Sequence, residues 1–308
     1  MRGLLDKKLF LPNNFLGIPQ IFSDYRRSRF VILPVPYEQT TTYKGGTREG
    51  PQAIISASKQ VELFDEELEA EPYKVGIYTS DELEPTSKGP AEMIEKIYKV
   101  GRRLVKDEKE VVMLGGEHTI SIGMIKAFKG RYKNLSVLQL DAHADLRQSF
   151  QGNRFSHACT MRRVREMVPA VQVGIRNLSS EEHSWVKKNK IDLFFAQEKN
   201  QNWKDKVLSS LSENVYLTFD LDFLDPSIMP SVGTPEPGGF LWYETLDFLK
   251  TLSLKKKIVG FDVVELCPQP GNIAPDFLAA KLIYKLMGYI VSKDRKKGKK
   301  STGILKQR

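Results

Sequence analysis

Short apolar runs recur along the chain, and each is followed by a stretch whose apolar positions return every three or four residues. The first run is Phe30-Val31-Ile32-Leu33, ended by Pro34 and Pro36. Others cover 74–78, 110–114, 135–140, 171–175, 192–195, 215–219 and 258–264. The spacing between them predicts helices over 52–64, 90–104, from Thr119, near 157–167, from Ser179, and over 203–211, 243–252 and 275–291. Pro51 and Pro90 suit helix starts, and Ser179 can cap its helix, with Glu181 and Glu182 in the first turn. Many of the strands are apolar at consecutive positions, as strands covered on both faces are. The alternation predicts an α/β chain: a three-layer α/β/α arrangement with a central, mostly parallel sheet of about eight strands. No repeat and no linker divides it, so residues 1–292 read as a single domain, with 1–28 as a surface arm.

In such sheets ligands collect at the carboxyl ends of the strands, and the residues able to do chemistry fall there. His118 follows the run at 110–114. Asp141-Ala142-His143-Ala144-Asp145 follows 135–140, Asp220 and Asp222 follow 215–219, and Glu265 follows 258–264. If the strand continues through 141–145, its alternation places Asp141, His143 and Asp145 on one side and the two alanines on the other. Solvated charges at a strand end are the plainer reading. It fits poorly, because a buried-type strand leading into two carboxylates and an imidazole calls for a cation. Four aspartates and two histidines, with no thiol, suit a hard or borderline divalent ion such as manganese. They carry too much negative charge for one ion, and carboxylates can bridge two. Asp262, by parity with Glu265, is expected on the opposite sheet face in a structural role. Asp225 before Pro226 is expected to fix a turn.

Charge changes the picture only once it is located. The formal net charge is +9, but 293–308 holds eight Lys and Arg against one Asp, or +7 of that total. The body therefore gives no reason to expect nucleic-acid binding, and the tail reads as basic and disordered. Cys159 and Cys267 form no CxxC and no disulfide framework, and read as small buried packing residues. No run reaches the roughly 18 apolar residues of a membrane span, and the N-terminus lacks a signal-peptide pattern. A soluble, cytoplasmic protein is expected.

Gly115-Gly-Glu-His118, Asp141-Ala-His-Ala-Asp145 and Thr218-Phe-Asp-Leu-Asp-Phe-Leu-Asp-Pro226 together resemble the three metal motifs of the ureohydrolase family of arginases and agmatinases. Ser231-Val-Gly-Thr-Pro-Glu-Pro-Gly-Gly239 resembles the glycine-rich loop that follows them. The resemblance runs from about residue 30 to 290, and Phe155-Ser-His-Ala-Cys159 places it nearer the agmatinase branch. One departure is Glu117, where the family pattern usually has Asp. The resemblance implies an arginase-like fold and two manganese ions per chain. It implies His118 and Asp145 on one ion, His143 and Asp222 on the other, and Asp141 and Asp220 bridging both. A shared water activated by both cations would attack the guanidinium carbon, releasing urea and an amine. Glu265 would hold the guanidinium, and His157 would move protons. Each has a plainer reading: His118 as a helix-start residue, His157 as a local packing residue, Glu265 as a support for a ligand.

The implied partner is a small guanidino-amine, with no nucleic acid and no membrane, and family analogy implies a homo-oligomer, a trimer or hexamer. Agmatine, giving putrescine and urea in polyamine biosynthesis, is the first substrate expected. N1-aminopropylagmatine, giving spermidine and urea, is the alternative, with arginine or another guanidino acid beyond it. The far end of the substrate would be read by loops 37–50 and 146–157. Arg147, Asn153 and Arg154 could meet a carboxylate; Tyr37, Glu38 and Tyr43 could meet a cationic tail. Two other functions stay open at this point. A deacetylase-like hydrolase with one zinc would not need four aspartates. A binding protein acting through its basic tail would not need the ligands at all.

Overall fold

The computed structural model describes residues 11–199 and 202–304, with side chains as far as Lys293. Eight strands form one sheet: β1 Phe30–Val35, β2 Ile77–Thr79, β3 Glu110–Gly115, β4 Leu135–Leu140, β5 Ala170–Ile175, β6 Leu193–Phe195, β7 Asn214–Asp220 and β8 Lys257–Val264. Among the described residues eight α-helices accompany them: α1 Gly50–Ser58, α2 Pro90–Lys106, α3 Ser121–Lys129, α4 Thr160–Arg165, α5 Ser180–Asn189, α6 Trp203–Ser210, α7 Trp242–Lys255 and α8 Ala274–Ile304. Every strand pair is parallel, in the order β2-β1-β3-β8-β7-β4-β5-β6. Parallel neighbours need crossover connections, and the helices that supply them cover both faces.

The two faces hold separate cores, and strand alternation sorts residues between them. Phe30, Ile32, Val112 and Leu114 pack with Ile54 of α1, Phe248 of α7 and Ile283 of α8. Val31, Leu33, Val111 and Met113 pack with Ile97 of α2, Met124 of α3 and Val164 of α4. The expected three-layer α/β/α arrangement is the one found.

Boundaries differ in places. The helix expected over 52–64 stops at Ser58, and the strand expected from Lys74 starts at Ile77, after a turn over Pro72–Val75. The backbone of α8 runs as helix to Ile304, through most of the segment expected to be disordered from 293. Residues 1–10 of the expected arm and 305–308 of the tail lie outside the described residues. Among the described residues no helix is long and apolar enough to cross a membrane.

Candidate metal centre

Four strands that are scattered in sequence are neighbours in the sheet: β3, β8, β7 and β4. Their carboxyl ends carry His118, Glu265, Asp220 with Asp222, and Asp141 through Asp145. The sheet order therefore gathers all of these at one place. A cavity of about 210 Å³ opens there. It is lined by His118, His143, Asp145, Asp220, Asp222, His157 and Glu265, with Asp141 fully buried beneath.

The expected comb is not a straight strand. β4 ends at Leu140, the backbone at His143 pairs with that at Asn177, and Asp145 sits at φ 52, a left-handed conformation that Asp tolerates. The turn splits the comb into two groups. Asp141 and Asp145 close on His118, while His143 turns to Asp222. Around His118 Nδ1 stand Asp145 Oδ2 at 3.0 Å, Asp141 Oδ2 at 3.1 Å and Asp220 Oδ2 at 3.5 Å. His143 Nδ1 lies 2.8 Å from Asp222 Oδ2 and 3.6 Å from Asp141 Oδ1. Asp141 thus turns one oxygen to each group.

The donor set fits cations. Three carboxylate oxygens surround His118 Nδ1, yet that buried nitrogen has no hydrogen-bond partner. Ligand atoms at about 2.1 Å from a shared octahedral ion lie about 3 Å from their neighbours, which is the spacing found. Without a cation the titrations are driven apart. Burial, then the charge of Asp141, pushes Asp145 up to about 7. Burial, then Asp222 and Asp141, holds Asp220 well above the ordinary range. Burial also pushes Glu265 up to about 8. The imidazoles move up as well. Burial opposes their charge, but Asp222 and Asp141 carry His143 to about 12, and Asp141 and Asp145 raise His118.

Beneath the site runs a row that sequence reasoning missed. Gln172, Gln139, Thr218 and Asp262 stand side by side across β5, β4, β7 and β8, and all are fully buried. Gln139 Nε2 donates to Asp141 Oδ2 at 2.6 Å, and Gln172 Nε2 to Gln139 Oε1 at 2.6 Å. Thr218 Oγ1 donates to Asp262 Oδ1 at 2.6 Å and lies 2.9 Å from His118 Nε2. A hydroxyl has one proton. With that proton on Asp262, Thr218 accepts from His118 Nε2–H, which leaves Nδ1 bare and facing the carboxylates. The expectation that Asp262 lies away from the site therefore fails. Glu265 lies beyond the end of β8, at φ 67, so parity with it does not carry back to Asp262. The available signal was a polar residue inside each buried strand, since buried polar groups need partners.

The surrounding loops are tied to the same residues. Glu265 Oε1 accepts from His118 N at 2.7 Å. Glu182 completes the capping box with Ser179 and also accepts from Leu146 N at 2.8 Å, next to Asp145. Asp225 accepts from the amides of Ser227, Gly238 and Gly239, so it fixes a turn and pins the glycine-rich loop. Arg176, also missed, donates to the carbonyls of Asp222 and Glu236. Gly116 has no alternative: a Cβ there would meet Tyr37 O at 2.1 Å. Of the residues suggested for the far end, Tyr43 and Arg147 line the cavity. Glu38 does not. Its carboxylate accepts from Gly46 N, Thr47 Oγ1 and Arg48 N inside its own loop. Arg154 pairs with Glu166, and Asn153 caps Phe155 N.

The chain as a whole is similar to known proteins. The arginase family model matches residues 28–288. An N(1)-aminopropylagmatine ureohydrolase of Synechocystis is 40% identical over 93% of this chain and 99% of its own. An agmatinase of Pyrococcus horikoshii is 32% identical, over 86% and 93%. The crystal structure of an agmatine ureohydrolase of Thermoplasma volcanium superposes with a TM-score of 0.85 at 27% identity, over 94% and 98%. Similarity of this extent makes the chain a hydrolase of agmatinase-like ureohydrolase type. It belongs to the arginase family.

Proposed function

We propose that this enzyme hydrolyses the guanidino group of a polyamine-type guanidine, with N1-aminopropylagmatine as its preferred substrate and agmatine second, releasing urea and the free amine. The observation that carries the reading is the pair of His/Asp groups sharing Asp141 on the floor of one cavity, beside the Glu265 carboxylate. The order of the two substrates rests on the resemblance to aminopropylagmatine ureohydrolases, 40% and 38% identical for two of them, above that to an agmatinase at 32%.

In this reading His118, Asp145, His143, Asp222, Asp141 and Asp220 would hold two manganese ions, which would supply a water acidic enough to lose its proton near neutral pH. The chain's own residues do the rest. Glu265 keeps one oxygen on His118 N and offers the other to the planar, forked donors of a guanidinium. His157 faces the cavity. Without a cation, burial and then the charge of His143 and His118 hold it down to about 4; as a neutral imidazole it can accept a proton and hand it to the departing amine. Of the three candidates for a substrate carboxylate, Arg147, Asn153 and Arg154, Arg147 alone lines the cavity, which favours substrates without one. The catalytic unit is residues 1–292, acting in the cytoplasm as a homo-oligomer.

Urea release from N1-aminopropylagmatine, agmatine, arginine and guanidinobutyrate, compared with manganese present, tests the assignment. The first two should exceed the others by at least tenfold in kcat/KM. Arginine as the fastest substrate overturns it. Agmatine ahead of its aminopropyl derivative overturns only the order.

A further inference from the structure

Glu117, the residue that departs from the family pattern, faces away from the metal groups and into the loop 37–42. It is fully buried. Its Oε2 accepts from the backbone amides of Gln39 and Thr40, both at 2.6 Å, and its Oε1 from Thr40 Oγ1 at 2.9 Å. Thr40 Oγ1 in turn touches His157 twice. It accepts from His157 N at 3.0 Å and lies 3.2 Å from His157 Nδ1. Ser156 Oγ is the more distant neighbour of that nitrogen, at 3.4 Å.

The direction of the last bond follows from counting protons. The Thr40 hydroxyl has one, and it is directed at Glu117 Oε1, 2.9 Å away and nearer than His157 Nδ1 at 3.2 Å, on a carboxyl that also accepts both loop amides. The proton therefore points to Glu117, and toward His157 Thr40 Oγ1 acts as an acceptor. His157 Nδ1 must carry its hydrogen, and Nε2 is left bare. We propose that Glu117 is a positioning residue for proton transfer: through Thr40 it fixes His157 in the tautomer whose free nitrogen serves the cavity, and through Gln39 and Thr40 it holds the loop that closes over that histidine. The proton balance is complete, since the proton that Nε2 takes is the one it returns to the departing amine. The side chain also suits the task in length. Asp would be one methylene shorter, while the loop amides lie at hydrogen-bond distance from a Glu carboxylate.

The inference rests on the proton-transfer reading of His157, so its test is a double-mutant cycle in the manganese-loaded enzyme. Thr40→Val and Glu117→Gln should each lower kcat about 10- to 100-fold, the size usual for groups that orient a catalytic side chain, with metal content unchanged and KM little altered. Thr40→Ser should recover most of the loss. In a His157→Ala background neither change should lower kcat further, and the acidic limb of the pH profile should be the same in all of these variants. Equal losses with and without His157 overturn the relay and leave the catalytic histidine standing. Full turnover in His157→Ala overturns both. A wild-type enzyme that releases no urea from any guanidine overturns the functional reading and the relay with it. Loss of metal in Thr40→Val shows a purely structural role for the threonine and also overturns the relay.

Discussion

Among the described residues two clusters of acidic side chains stand out, one buried at the metal groups and one where α8 meets the segment 63–70, in which Asp65 is buried while Glu66 and Glu67 reach the surface. In the second, Lys285 is almost fully buried. Its Nζ lies 2.8 Å from Glu67 Oε2, 3.1 Å from Asp65 Oδ1 and 3.7 Å from Glu66 Oε1. Tyr289 and Lys250 donate to the two oxygens of Glu67. Burial works against ionisation of Glu67, but Lys250, Lys285 and Tyr289 outweigh it and hold that carboxyl down to about 2. Lys285 is raised in return: burial opposes its charge, and Glu67 and Asp65 prevail. At the metal groups Asp145, Asp220 and Asp222 move the other way, raised first by burial, while His118 and His143 outweigh the burial of Asp141 and lower it. Among the described residues no Lys or Arg pairs with the side chain of Asp141, Asp145, Asp220 or Asp222. The protein neutralises one cluster itself and leaves the other to a cation from outside. An unpaired buried charge is costly, so the open cluster is the one that marks function.

The comparison breaks most sharply at Asp141. Asp141→Asn keeps the shape and removes the charge facing both groups. It should lower metal occupancy of both and cut turnover by more than about 100-fold, beyond what a supporting residue costs. Two manganese ions retained per chain at normal turnover would refute the shared role. At the other cluster the loss should fall on stability. Lys285→Met leaves the buried Asp65 without its cation, while Glu67 keeps Lys250, and should cost about 3–5 kcal/mol, read as a lower Tm with metal content and KM unchanged. An unchanged Tm would mean that the cluster has little part in holding α8 in place.

The two clusters should also bend the stability curve in opposite directions. The folded value of Glu67, about 2, lies below its ordinary 4.5. Its contribution is present above pH 4.5 and is lost as pH falls toward 2. The folded values of Asp145, about 7, Glu265, about 8, and His143, about 12, lie above their ordinary 3.8, 4.5 and 6.5. Their contributions are present below those ordinary values and are lost as pH rises through the folded ones. Chelated protein should therefore lose Tm as pH climbs from about 4 to 8. Manganese should flatten that limb, because it replaces the protons, and should leave the acid limb alone. Identical alkaline limbs with and without metal would contradict this.

How much of this was legible depended on the kind of residue. The strands and the gathering of the Asp and His side chains could be read, because apolar runs and the Asp/His spacing are local signals, and parallel order places strand ends together. The role of Glu38 could not. A carboxylate in a polar loop gives no sign that Gly46, Thr47 and Arg48 will occupy it. Nor could the turn at Asp145, whose positive φ divides one expected ligand row into two groups. The row of Gln172, Gln139, Thr218 and Asp262 was visible only as polar letters inside apolar strands. Its meaning needed the registers of three strand pairs.

That row yields the smallest effect and the finest test of the comparison. Thr218 stands between His118 and a buried carboxylate, accepting from His118 Nε2–H and donating to Asp262 Oδ1. Thr218→Val keeps the branched shape that a central strand favours and removes only the hydroxyl. His118 then loses the acceptor that keeps Nδ1 bare, while Asp262 keeps Tyr216 as a donor at 2.8 Å. Manganese should bind about 10-fold more weakly, measured by competition with a chelator, and the chelated protein should keep its Tm to within a few degrees. Thr218→Ser should restore the affinity. If Thr218→Val binds manganese as tightly as wild type, the row serves the packing of the sheet alone, and the open cluster sets the orientation of His118 with its own aspartates.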